Sequence, residues 1–247
     1  MLTHHKLNVY EKALALAASA EPFSASWGKQ HAIVEHFCRA SESIVLNIAE
    51  GARLVSAIDK ARTLDHAIGS TLECAACLDI AHIKGRLSFE RALLEKKTLA
   101  EITRMLVGLR KAWLGTAFQE EASLYQAAEG DQKPEMLFYH EPLHMYQVGL
   151  EFMRWFVAFP GGKELSDRLF RAVDKFGTSA VLNVAEGNGR YSELDHVRFL
   201  EIAAASAVKA ATYLDLYQQK QKGLAVCVDT SHGRELLSRI VAMVNKF

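Results

Sequence analysis

Shifted against itself by 136 residues, this 247-residue sequence falls into register without a gap from Leu7 to Asp79. Leu46-Asn47-Ile48-Ala49-Glu50-Gly51 lands on Leu182-Asn183-Val184-Ala185-Glu186-Gly187, Tyr10 on Tyr146, Leu14 on Leu150 and Phe23 on Phe159. Further on, Ser56 meets Ser192, Asp59 meets Asp195, Arg62 meets Arg198 and Ser70 meets Ser206. Between Ser41 and Asp79, 16 of 39 aligned positions are identical, so the reading is of one unit used twice. That confines the chain to two copies of a small domain, residues 1–113 and 137–247, separated by a helix extension and linker over 114–136. The Glu129–Pro134 stretch of that segment has linker composition.

Within a half, residue usage is helical. Only four prolines occur, Ala and Leu abound, and alternating β-branched runs are missing. Turn signals at Glu21–Gly28, Gly51–Val55 and Gly85–Ser88, and at Phe159–Gly162, Gly187–Tyr191 and Gly223–Gly233, cut each half into four segments. Val34, Phe37, Ile44 and Ile48 share one face of the second helix, matched by Leu169, Val173, Ala180 and Val184. Ser56-x-x-Asp59 and Ser192-x-x-Asp195 are capping boxes that open the third helix of each half. Gly51, Gly187 and Gly189 stand where a left-handed residue would end the helix before it. The fold class is all-α: two tandem up-down-up-down four-helix bundles.

No apolar run reaches the roughly 18 residues of a membrane span, and Met1–Tyr10 has no signal-peptide core, so a cytoplasmic protein is expected. Cys38, Cys74, Cys77 and Cys227 then read as reduced thiols rather than a disulfide framework. Total charge is balanced, 29 basic against 29 acidic residues. The acidic linker hides the fact that each half is mildly basic, with 15 basic and 12 acidic residues in 1–113 and 13 and 12 in 137–247.

Three spacings resemble chemistry and are set aside on physical grounds. His140-Glu141-Pro142-Leu143-His144 has the letters of a zinc-protease helix, but Pro142 belongs in a helix's first turn, which leaves His140 outside it and off the face of His144. Glu193-x-x-His196 is half of a di-iron pattern whose counterpart positions hold Ala57 and Lys60. Cys74-x-x-Cys77 lies mid-helix, away from the N-terminal dipole that activates redox thiols. No catalytic residue, metal or cofactor is expected. Asn47, Glu50 and Gly51, with Asn183, Glu186 and Gly187, form a repeated motif beside a turn, read as a structural lock in preference to a shared polar site. Leu99, Ile102, Met105, Leu106, Leu109 and Trp113, continued by Phe118, Leu124 and Tyr125, are expected to dock on the second bundle or on a partner.

The segment Arg39-Ala40-x-x-Ser43-Ile44-x-x-Asn47-Ile48-Ala49-Glu50-Gly51 resembles the motif of the four-helix-bundle proteins encoded by 23S rRNA intervening sequences, a family that includes the accessory variability determinant of diversity-generating retroelements. Val9–Ala13 resembles its opening helix and Gly69-Ser70-x-x-Glu73 its third. The second half matches more loosely, with Lys175-Phe176 in place of Arg-Ala. The resemblance implies a scaffold that binds nucleic acid and a reverse transcriptase. Its candidate phosphate contacts are Arg39, Arg53 and Arg62 in the first half, and Arg168, Arg171, Lys175, Arg190 and Arg198 in the second. Spacing puts Arg168, Arg171 and Lys175 on one face, where Glu164, Asp167 and Asp174 are expected to blunt their attraction for phosphate. The expected function is thus a non-enzymatic adaptor for a reverse-transcriptase or structured-RNA complex, or for copies of itself. The alternative is a protein-interaction module without nucleic-acid affinity, which the zero net charge favours.

Overall fold

The computed structural model describes residues 2–28, 31–115, 137–160, 167–221 and 228–246. Among them are eight α-helices and no strand: α1 (Asn8–Ser24), α2 (Ala32–Arg53), α3 (Ala57–Ile83), α4 (Phe89–Leu114), α5 (His144–Ala158), α6 (Arg168–Gly187), α7 (Glu193–Lys220) and α8 (Ser231–Val244). Each of the first four packs on the next and α1 closes on α4; α5 to α8 close in the same way. Phe118, Leu124 and Tyr125 lie outside the described residues.

Caps and stripes form where the sequence places them. Ser56 and Ser192 accept from the amides of Asp59 and Asp195 at 3.3 and 3.4 Å, and Ser88 and Asp167 cap α4 and α6. Phe37, Ile44 and Ile48 of α2 are buried, although Val34 is half-buried and Ile33 takes its place in the core. The first break comes later than expected, because the stripe Ala13, Leu16, Ala20 and Ser24 carries α1 past Pro22. One polar clip recurs at equivalent positions. Asn47 donates to the Ser43 carbonyl at 2.7 Å and Ser70 to the Ser43 hydroxyl at 2.9 Å; Asn183 donates to the Ser179 carbonyl at 2.7 Å, with Ser179 and Ser206 3.0 Å apart.

The glycines beside the turns do something other than the sequence suggests. Positive φ occurs at Gly28, Gly85 and Gly115 and not at Gly51, Gly187 or Gly189. Gly51 and Gly187 are helical residues that let the following helix pack close: a Cβ there would lie 2.3 Å from Thr63 Oγ1 or 2.8 Å from Phe199 Cβ. Gly189 faces Gly69 across the junction between the bundles.

The two bundles pack on each other, with α3 against α5 and α6. Seventeen residues of α3 are buried, against six in the repeat-equivalent α7, so the extra burial on α3 is what the second bundle covers. Three polar contacts hold this junction. Asp174 of α6 accepts from Lys84 and from the Ala32 amide, with His31 at 3.7 Å. Lys96 reaches Asp79 at 2.8 Å and Glu141 at 2.5 Å, while Tyr146 donates to Asp79 at 2.8 Å. Arg110 bonds Asp65 at 2.6 Å and stacks over Tyr191 at 3.6 Å.

Candidate macromolecular interface

At the end of α2, the repeated motif opens onto a cleft of about 600 Å³ where the bundles meet. Ser43, Asn47, Glu50, Asp59, Arg62 and His66 line it from the first bundle, Glu186 and Arg190 from the second. Its charges largely answer one another. Arg190 donates to Glu186 at 2.5 Å and to His66 Nδ1, and its guanidinium covers the Phe199 ring at 4.5 Å. Burial, aided by Arg190, lowers the His66 pKa, so the ring stays neutral and accepts that bond. Burial first and the Glu73 charge second push the Glu186 carboxyl up to about 7, against the pull of Arg190. Asn47 and Asn183 each donate to the serine four residues earlier in their own helix, Ser43 and Ser179, and not to the turn that follows.

The eight candidate phosphate contacts separate by exposure. Arg190 is only 4% exposed and belongs to the junction, which corrects its placement on the surface. Arg39, Arg53, Arg62 and Arg198 are exposed but scattered, with Arg62 3.7 Å from Asp59 and Arg39 4.0 Å from Glu73. Arg168, Arg171 and Lys175 stand exposed in one row along the first two turns of α6. Of the carboxylates expected to blunt this row, Asp174 is buried against Lys84, while Asp167 stays at the head of the row and caps the helix through the Leu169 amide at 2.6 Å. Glu164 lies outside the described residues. Beside the row, Lys175 and Lys209 lie over the Phe176 ring at 5.7 and 5.4 Å, and that ring stacks on Tyr213.

The set-aside spacings also have definite places. His140 is fully buried in the turn before α5, stacked on Phe138 and edge-on to Tyr146, whereas His144 begins the helix near Arg239. Glu141 is spent on Lys96 and on the amides of Leu137 and Phe138. His196 bonds the Gly187 carbonyl at 2.9 Å. Cys74 and Cys77 are wholly buried, which pushes both thiols well above their ordinary pKa. Among the described residues no group of three or more His, Cys, Asp or Glu could hold a metal, and no helix is long and apolar enough to cross a membrane.

Among the described residues neither ring nitrogen of His140 has a hydrogen-bond partner, and burial, with Lys96 nearby, drops its pKa well below 6.5. The unfolded chain takes up a proton near pH 6.5 and the folded one does not. The stability tied to the neutral ring is therefore complete above pH 6.5 and is lost as the pH falls below it. His140→Phe keeps the ring stack and removes two unsatisfied nitrogens. Urea melts at pH 7.5 and 5.5 should show the variant about 1 kcal/mol more stable at the higher pH and less acid-sensitive.

Residues involved in holding the junction, Lys84, Asp174, Lys96 and Glu141, escape sequence reasoning because each pairs with a residue far away in the chain. One available signal was the doubled Asp79/Asp215 and Tyr10/Tyr146, of which Asp79 and Tyr146 meet across the junction. No curated protein and no solved structure matches this sequence. Residues 5–108 match the model of the 23S rRNA-intervening sequence protein. The match covers the first bundle, which is thus similar to the 23S rRNA-intervening sequence protein.

Proposed function

We propose that the chain is a cytoplasmic, non-catalytic scaffold whose second bundle presents a basic helix face to structured RNA, on its own or within a reverse-transcriptase complex. The observation that carries this is the exposed row Arg168, Arg171 and Lys175 along one side of α6. Aligned cations at helical spacing neutralise successive phosphates and release their counterions. The Phe176–Tyr213 stack beside them offers an aromatic surface of the kind on which unpaired bases rest. The non-catalytic part draws support from a cleft whose Arg190, Glu186 and His66 are bound to one another, and from thiols that burial keeps protonated.

Binding of a fluorescent structured RNA, followed by anisotropy across a salt series, tests the reading. The wild type should show a steep fall of log affinity with log salt. The triple variant R168E/R171E/K175E should flatten that slope by about 2–3 while leaving the urea melt unchanged. No binding even at low salt removes the RNA part. What would then remain is the protein-interaction reading, favoured by the apolar residues that α7 exposes; a pull-down whose partners survive nuclease would support it.

A further inference from the structure

The two bundles differ sharply at one set of equivalent positions. In the first, Ala40 of α2 and Cys77 of α3 are 1% and 0% exposed, and Glu73 is buried near them. In the second, Phe176 of α6 and Tyr213 of α7 stand at those positions, both half-buried, and an exposed Lys209 replaces the glutamate. Packing two helices does not demand this, since α2 and α3 close with an alanine and a cysteine in the same places.

The four side chains of the second bundle act as a group. The Phe176 and Tyr213 rings stack with centroids 5.7 Å apart and planes 17° from parallel. Lys175 Nζ and Lys209 Nζ lie 5.7 and 5.4 Å from the Phe176 centroid, one from α6 and one from α7. Neither ammonium enters an ion pair among the described residues. Two half-exposed rings flanked by two such cations suit a ligand that is flat and carries negative charge close to its plane. An unpaired nucleotide is both. Lys175 is also the last cation of the α6 row, so a phosphate backbone following that row arrives at the rings. A base inside a duplex cannot use them, because its faces already lie on its neighbours; a base in a loop or bulge can.

We infer that the second bundle selects RNA by an unpaired base, seated on the Phe176–Tyr213 stack with Lys175 and Lys209 at its flanking phosphates, while the α6 row holds the adjoining backbone. The inference rests on the RNA reading above and adds the class of RNA and the residues that choose it. Phe176 and Tyr213 set the preference for unpaired over paired RNA, and Lys209 adds a phosphate contact from α7. The first bundle has no counterpart, since its equivalent positions are small and closed over.

Two RNAs of equal length test it with the full chain: a blunt duplex, and a hairpin with 2-aminopurine in its loop. The hairpin should bind more tightly than the duplex by about tenfold or more, the worth of one stacked base, and the 2-aminopurine fluorescence should fall on binding. F176L/Y213L should cut hairpin affinity by about tenfold, abolish the fluorescence change and leave duplex affinity as it was. K209Q lies on the surface and gives a second readout should the ring variant fail to fold. It should weaken hairpin binding and lower its salt slope by about 1. Equal affinity for the two RNAs overturns the inference and leaves the RNA reading in place; absence of binding to either at low salt removes both. Poly-glutamate that displaces the hairpin as well as unlabelled loop RNA does would show that charge alone is read, and also overturns it.

Discussion

Alanine at position 174 lowers the unfolding free energy by about 3–5 kcal/mol, the range seen when one member of a buried ion pair is removed and the other charge stays uncompensated. Asp174 and Lys84 are 1% and 3% exposed, and the carboxylate also takes the Ala32 amide at 3.4 Å, so its loss leaves an ammonium and a helix N-terminus without an acceptor. Removing both charges is far milder. Lys84→Met with Asp174→Leu should recover most of the loss, because two apolar chains of similar volume leave nothing unpaired. Urea melts of the two variants at pH 7 decide this; Asp174→Ala within about 1 kcal/mol of wild type would mean that water reaches the pair. The pH dependence has a definite sign. Burial alone would raise the Asp174 carboxyl, but Lys84 and His31 outweigh it and hold it below 3.8. Its contribution is present above pH 3.8 and disappears as the pH falls through that value toward the lower folded pKa, and in Asp174→Ala this acid-sensitive component is absent.

Valine at position 189 costs about 2 kcal/mol by forcing the bundles apart. A Cβ at Gly189 would lie 2.8 Å from the Cα and 3.0 Å from the nitrogen of Gly69, and a backbone buried inside α3 has no rotamer by which to retreat. Gly108 is the control. Nothing lies within 4 Å of a Cβ there, so Gly108→Ala in the middle of α4 should be neutral or up to about 1 kcal/mol stabilising. Hydrogen exchange adds a readout specific to the junction: Gly189→Val should expose amides of α3 and leave those of α8 unchanged. If α3 and α8 loosen equally, the effect is a general loss of stability.

The helices were legible because their signals are local. The Ser56 and Ser192 caps, the Phe37–Ile44–Ile48 stripe and the doubled register needed no knowledge of the partner helix. What reads poorly is whatever depends on the junction. Gly189 looks like a helix stop because glycine serves both for left-handed turns and for close approach, and only coordinates tell them apart. Arg190 looks like a surface cation because its Glu186 neighbour is visible in sequence while His66, 124 residues away, is not. Asp174 looks like a spoiler of the basic row for the same reason: Lys84 is 90 residues distant. The row itself was legible from its spacing, and that Asp174 pairs away from it came into view only with the fold.

Because α3 is buried without a break from Ala67 to Leu78, a half-length product ending near residue 115 would bare Leu72, Ala76 and Ile80 to water along one strip. Such a fragment would be prone to clump, so the second half acts as the cover that keeps the first in solution.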